Sequence, residues 1–273
     1  MVEKLGLIAG ADKLPLEVVE YCKNNNIDLY CVLIKGFANE KDYINQNYLQ
    51  IKIGQIGKAI NYFLKNGVKK LVFAGGVKKP SFGLMMMDFK GFLLLKKILK
   101  NKILGDNTVL ETVIQFLKQY DLEVIEIDSI IKNIKLCSEN NTNIICSDEY
   151  IEDIKLGVDV LKTISKFDIG QSIVVQQKNI IAMECVEGTE QLIKRSNDIK
   201  YLKRRKPVLV KIKKINQTRK IDLPTIGVDT IEQIYKAGFA GIAIDYKNCL
   251  VVSVSKVIEL ANKYGLFVYG IDI

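Results

Sequence analysis

The sequence predicts an α/β protein built in two parts, and three observations carry this. Short, continuously apolar runs alternate with segments of helical spacing as far as Asp128, the pattern of a parallel sheet covered by helices on both faces. A polar, Asn-rich, aperiodic stretch, Ser129–Asp153, then interrupts the alternation and places a boundary near Ile131. The 273 residues, 48% of them apolar, are enough to bury two ordinary cores without staples. The expectation is therefore a parallel-sheet domain over 1–131 and a mixed α/β domain over 132–273.

"LGLIAG" (Leu5–Gly10) is a short apolar run ending in Gly and reads as a buried strand. "LPLEVVEYCKNN" has helical spacing at Leu16, Val19 and Cys22, and "IDLYCVLIKGF" is the next strand. "QIGKAINYFLKNG" is a helix with Gly67 where a C-terminal cap belongs. "VKKLVFAGGV" is a strand ending in a Gly pair, helical patterns follow over Asp88–Lys100 and Thr108–Gln119, and "LEVIEID" (Leu122–Asp128) closes the series as a strand. Beyond the boundary, "YIEDIKLGVDVLKTISKF" is helical, and "IGQSIVVQQKNIIAMECVEG" reads as two strands around a turn at Lys178–Asn179. "TEQLIKRSNDI" is a helix and "PVLVKIKK" a strand; "IDLPTIGVDT" connects it to the helix "DTIEQIYKAG". The strands "GIAIDY" and "CLVVS", the helix "VSKVIELANKYG" and the strand "LFVYGIDI" complete the chain.

Composition narrows the chemistry. The net charge of +9, dominated by Lys, suits anionic partners such as phosphates or an anionic lipid surface, or reflects a Lys-, Ile- and Asn-rich background. The lysines are scattered without interleaved aromatics, so no nucleic-acid partner is expected. With no histidine, the commonest general base and transition-metal ligand is missing. Six cysteines form no C-x-x-C pair and several sit in apolar runs, so free thiols in a reducing compartment are expected and a zinc site is disfavoured. Without a signal-peptide pattern or an apolar run of ~18 residues, the expectation is a soluble cytosolic protein.

Several segments carry site chemistry beside a plainer structural reading. In "AGADKLP", Gly10 ends a strand before a helix and either meets a phosphate or makes a tight turn. "GQIGKA" lacks the glycine spacing and the hydroxyl residue of a P-loop. In "FAGGVKKPS", Gly75, Gly76 and Lys78 either hold a phosphate or form a turn with two solvated lysines. "FGLMMMDFKGFLLLKKILKNK" offers a Met-rich surface for acyl chains, against a helix that sinks Leu93, Leu94 and Leu95 into the core. In "VEGTEQLIKR", Glu187, Thr189 and Glu190 surround Gly188 and suit Mg²⁺, or Thr189 caps a helix whose first turn carries Glu190. In "IDLPTIGVDT", Asp229 is a natural helix cap, whereas Asp222 ends the basic stretch Lys211–Lys220, which would keep it ionised for holding a metal or orienting a water.

Taken in order, "LIAGADKLP", "VFAGGVKKPS", "GDNTVL", "FDIGQSIVV", "VEGTEQLIKR", "VLVKIKKINQTRKIDLPTIGVDT" and "AGFAGIAID" resemble the bacterial UDP-2,3-diacylglucosamine pyrophosphatases of lipid A biosynthesis, in the form distinct from the calcineurin-like enzyme. The resemblance implies a Rossmann-like N-terminal domain, a catalytic C-terminal domain and hydrolysis of UDP-2,3-diacylglucosamine to UMP and 2,3-diacylglucosamine 1-phosphate (lipid X). It implies Mg²⁺ or another divalent cation, and substrate between the domains. It lays the essential aspartate onto Asp222 and the Gly-Thr-acid motif onto Glu187–Glu190, with Glu190 where the family usually has Asp; Asp12 likewise departs from the family's opening motif. Asp222 is expected as metal ligand or base, with Glu187 and Glu190 as further metal ligands. Gln171, Thr189, Lys211, Gln217, Arg219 and Thr225 join Gly10, Gly75, Gly76 and Lys78 as substrate contacts. The acylated substrate and basic charge imply peripheral association with the inner membrane, helped by the Phe82–Leu95 stretch, and a homodimer stays open. A hydrolase of another nucleotide sugar and a non-catalytic nucleotide- or lipid-binding regulator are the competing readings.

Overall fold

β1 (Lys4–Ala9) is buried from Leu5 onward because it lies mid-sheet, parallel to β2 (Asp28–Ile34) on one side and β4 (Lys70–Ala74) on the other. The computed structural model describes residues 4–77, 86–100, 106–201, 203–215, 217–221 and 223–273. They fall into two units, 1–131 with 218–221, and 132–217 with 222–273. The chain thus returns to the first unit for Thr218–Ile221 before continuing in the second.

The first unit is a five-stranded parallel sheet of order β3-β2-β1-β4-β5, with β3 at Asn47–Ile51 and β5 at Glu123–Val124. Alternate strand residues face opposite sides. Ile8, Val32, Ile34 and Leu71 pack with Ile60 and Phe63 of α2 (Ile56–Lys65), Leu94 of α3 (Phe89–Lys100), and Phe116 and Leu117 of α4 (Asp106–Lys118). α1 (Leu14–Asn24) packs on the same sheet through Val18 and Cys22, which are absent from that cluster. Gly67 follows α2 at φ +73, as its capping place requires. Asp88 explains why "GQIGKA" is no phosphate loop. One carboxylate oxygen accepts from Lys58 N at 3.0 Å in the first turn of α2, the other from Gly91 N at 2.8 Å in the first turn of α3. A single aspartate caps both helices.

Two expectations change here. β3 was not expected: it is an edge strand, mostly half-exposed, without a continuous apolar run. The last strand shrinks from Leu122–Asp128 to Glu123–Val124, because the chain turns into a 3-10 turn at Ile127–Ser129.

The second unit is a six-stranded sheet of order β6-β13-β11-β9-β7-β8. β9 (Val208–Lys211), β11 (Gly241–Asp245) and β13 (Phe267–Ile271) run parallel. β7 (Ser172–Gln176), β8 (Asn179–Met183) and β6 (Glu139–Asn140) join antiparallel. On one face α5 (Asp148–Ile164) packs Ile154, Val158 and Leu161 against Ile173, Val175, Val208, Val210 and Ala243. Gly157 lets it close on the sheet, since a Cβ there would lie 2.9 Å from Val210 Cγ2. The other face, Val174, Leu209, Ile242, Ile244 and Val268, is covered by α6 (Thr189–Ile199), α7 (Val228–Lys236) and α8 (Val254–Lys263). β10 (Thr225–Ile226) and β12 (Leu250–Val251) form a small parallel pair.

The β7–β8 turn sits one residue earlier than expected, with Gln177 and Lys178 at φ 50 and 60. Asp229 is not the cap of α7 but an acid in its first turn, favourable to the helix dipole; the cap is Gly227. Of the six free cysteines, Cys22, Cys31, Cys146 and Cys249 are buried and Cys137 and Cys185 exposed. Burial pushes the thiols of Cys31, Cys146 and Cys249 up to about 12, which makes them inert at neutral pH.

Candidate functional site

A buried polar cluster of the second unit lies at the carboxyl ends of its parallel strands, where open α/β sheets place their ligands. Lys211 ends β9 and is 4% exposed. It stands in register with Ile244, next to Asp245 at the end of β11, and with Ser172, the first residue of β7. Its Nζ donates to Thr189 Oγ1 at 2.7 Å. Thr189 Oγ1 in turn donates to Glu184 Oε2 at 3.0 Å and lies 3.2 Å from Ser172 Oγ. The hydroxyl has one proton and two lone pairs, so Glu184 takes the proton while Lys211 and Ser172 donate to it. Ser172 is fully buried and Glu184 is 7% exposed.

Local sequence builds this corner. β8 ends at Met183, and Glu184 N still donates to Ser172 O at 2.9 Å, which fixes the glutamate beside β7. Gly170 permits the approach: a Cβ there would sit 1.9 Å from Glu184 O. Gly188, at φ +83, turns the chain into α6 so that Thr189 becomes its first residue. Glu187 accepts from Cys185 N at 3.1 Å and from Arg195 Nη2 at 2.9 Å, two turns along α6. Hydrogen bonds from its own backbone N–H and from that guanidinium hold its carboxyl below the usual carboxylate range. Glu190 points from the first turn of α6 into solvent.

The flanking loop carries more of the expected residues. Ile212 N donates to Gln171 O at 3.0 Å, and Gln217 Nε2 to Gln171 Oε1 at 3.4 Å, with Gln217 5% exposed. Lys213 Nζ donates to Gln217 O at 3.0 Å, and Lys214 pairs with Asp168. Within the basic stretch, Lys211, Lys213 and Lys214 are therefore engaged by protein partners. Thr225 Oγ1 donates to Leu223 O at 3.1 Å within the turn before β10.

Other candidates belong to the first unit. Gly10 and Gly75 directly follow the adjacent strands β1 and β4, the point at which the sheet order reverses. Gly10 N donates to Ala74 O and Ala11 N to Gly76 O, both at 2.8 Å. A Cβ on Gly10 would lie 2.6 Å from Gly76 O, and one on Gly75, at φ +84, would lie 2.0 Å from Ala11 O. The close crossing of two loops is thus a sufficient reason for these glycines, and the two segments form one corner. Arg219 donates to Glu126 at 3.1 Å and to Asp128 at 2.7 Å, tying 218–221 to the first unit. Asp222 and Lys78 lie outside the described residues.

The structure thus brings Thr189 and Lys211 together, and Gln171 with Gln217, but does not gather Glu187 and Glu190 into a cation cage. Among the described residues no group of three or more His, Cys, Asp or Glu is placed to hold a metal. Mg²⁺ commonly binds through one or two carboxylates plus substrate phosphates and retains waters, so the set fits an ion arriving with a diphosphate better than a preformed cage. Glu184, Ser172 and Asp245 were missed in the sequence. The available signal was a lone acid closing the apolar run "IIAME". Asp245, 2% exposed, is consumed by its own turn, accepting from Asn248 N at 3.1 Å and Asn248 Nδ2 at 2.9 Å.

Thr189→Val keeps the shape and removes the shared oxygen. It is expected to destabilise by about 1–3 kcal/mol, because buried groups lose partners, and to impair turnover in a way that Thr189→Ser does not. Thermal unfolding and steady-state rates on the three proteins check this.

Two domain models match the chain: the LpxI N-terminal domain over residues 4–134 and the LpxI C-terminal domain over 139–269. The chain is 31% identical to the UDP-2,3-diacylglucosamine pyrophosphatase LpxI of Caulobacter vibrioides, over 99% of this chain and 98% of that protein. A biotin carboxylase domain of Hydrogenobacter thermophilus 2-oxoglutarate carboxylase aligns over 97% of this chain and 59% of its own at 12% identity. Its TM-score of 0.23 carries no argument. Full-length similarity and two successive domain matches agree that the chain belongs to the LpxI family.

Proposed function

We propose that this chain hydrolyses the diphosphate of UDP-2,3-diacylglucosamine to UMP and 2,3-diacylglucosamine 1-phosphate. The observation that carries the reading is the buried Lys211–Thr189–Glu184 corner at the strand ends, in a chain whose relative bears that activity in its name. In the reaction, water oxygen adds to one phosphorus, the bridging P–O bond breaks and the other phosphate departs with the bridging oxygen. That exchange needs charge neutralisation and a placed water. Lys211 supplies a cation whose direction is set by a saturated hydroxyl, and Gln171 and Gln217 offer amides beside it. Asp222 is the carboxylate assigned to water activation or cation binding.

A divalent cation, with Asp222 as its first ligand and Glu187 and Glu190, the acids flanking Gly188 and Thr189 in sequence, as further ligands, would neutralise the diphosphate and polarise the attacked phosphorus. A substrate with two acyl chains resides at a lipid surface, so the protein would work there from the cytoplasm. Among the described residues no helix is long and apolar enough to cross a membrane.

The test is UMP release from the pure substrate in detergent micelles. Chelation by EDTA is expected to stop release and added Mg²⁺ to restore it. Absence of UMP under all conditions would overturn the hydrolytic reading, and full activity in chelator would overturn the cation.

A further inference from the structure

α3 carries a face that stays exposed among the described residues. Gly91 and Leu94 are buried, and Lys90 and Lys97 turn inward to neighbouring helices, donating to Asn61 Oδ1 at 3.1 Å and Gln119 Oε1 at 2.7 Å. Phe89, Phe92, Lys96 and Leu99, spaced i, i+3, i+7 and i+10, share the opposite stripe. On it Phe89 is 76% exposed, Phe92 56% and Leu99 58%, and just before the helix Met86 is 60% exposed. Lys96 and Lys100 stand exposed along the stripe with no acidic partner among the described residues, and α3 contains no Asp or Glu. The nearby Asp88 is spent on the two helix caps.

We infer that this face of α3 is an interfacial docking surface for an anionic lipid bilayer, with Phe89, Phe92 and Leu99 entering the headgroup–acyl boundary and Lys96 and Lys100 meeting anionic headgroups. Among the described residues, Phe89 and Phe92 stand exposed on one helical stripe and lie outside the unit's core cluster. A stripe of exposed apolar side chains edged by exposed lysines is complementary to an anionic lipid surface. An acidic protein partner would match the lysines but not aromatic rings so prominently raised. The sequence singled out this segment but favoured burying Leu93–Leu95; the fold buries Leu94, half-buries Leu93 and Leu95, and leaves the phenylalanines outside. The inference deepens the hydrolytic reading, since a diacylated substrate lies at such a surface, but its measurement stands apart from catalysis.

The experiment is co-sedimentation of the full chain with vesicles of phosphatidylglycerol and phosphatidylethanolamine, and with pure phosphatidylcholine vesicles. Binding to the anionic vesicles is expected, falling with salt and weaker on phosphatidylcholine. The triple variant Phe89→Ser, Phe92→Ser, Leu99→Ser is expected to bind at least about tenfold more weakly, and Lys96→Gln with Lys100→Gln to lose most of the preference for anionic lipid. Ile145→Ser, at an exposed apolar residue of the second unit, should bind as wild type. Thermal unfolding of the variants should match wild type, because the altered side chains are exposed. Failure of wild type to sediment with vesicles, or undiminished binding by the triple variant, overturns the proposal. So does a change from dimer to monomer in light scattering with vesicle binding intact, which would assign the face to a second copy. UMP release by wild type in micelles, measured in parallel, tests the hydrolytic reading separately.

Discussion

Asp222→Ala is expected to lower UMP release by about 10²–10⁴-fold, the usual contribution of a positioned general base, while the thermal midpoint stays near that of wild type. Between Lys211 and Thr230 the only acids are Asp222 and Asp229. Asp229 has a sufficient role in the first turn of α7. In sequence, Asp222 follows Ile221, which packs against the core of the first unit, and precedes Leu223, which is buried. Asp222→Asn and Asp222→Glu separate its two candidate roles. A ligand role predicts that Asp222→Glu needs a higher cation concentration for half-maximal rate, and a base role predicts a changed pH profile at saturating cation. Wild-type turnover in Asp222→Ala would remove the assignment.

Asp153→Ala is expected to cost about 3–5 kcal/mol of unfolding free energy, the range for breaking a buried ion pair on one side only. Asp153 is fully buried on α5. One carboxylate oxygen accepts from Gln177 N at 3.0 Å and Arg205 Nη2 at 2.8 Å, the other from Lys178 N at 2.6 Å. Those amides belong to the two turn residues held at positive φ, so the carboxylate stabilises a backbone conformation that Gln and Lys ordinarily avoid. Arg205 keeps Glu149 as a partner at 2.8 Å, which puts the cost toward the lower end of the range. Urea unfolding monitored by circular dichroism measures it, and a loss under about 1 kcal/mol would show that the loop relaxes without the carboxylate.

How far the sequence can be read depends on how local the cause is. β1, β4 and β11 were legible because a strand with neighbours on both sides must be apolar throughout. β3 was not, because an edge strand lies half in water and its composition resembles a loop. At the site, Lys211 and Thr189 were legible as members of unusual segments, but their contact spans 22 residues. Glu184 escaped notice because a glutamate ending an apolar strand looks like a solvated boundary until β7 and α6 close around it. Arg219, read from the sequence as a substrate contact, bonds Glu126 and Asp128, partners more than ninety positions earlier.

From the order of residues alone follow the two-part α/β architecture, the lack of histidine chemistry, and candidate segments for a diphosphate site. These follow from periodicity, composition and short motifs, all properties of neighbouring residues. Packing in three dimensions settles that Glu184 rather than Glu190 faces Thr189, that Asp88 occupies the helix start in "GQIGKA", and that Phe89 and Phe92 remain outside the core. Each of these depends on which side chain reaches a given point first when distant elements pack. A buried polar group accepts only the partners that packing leaves within hydrogen-bond reach.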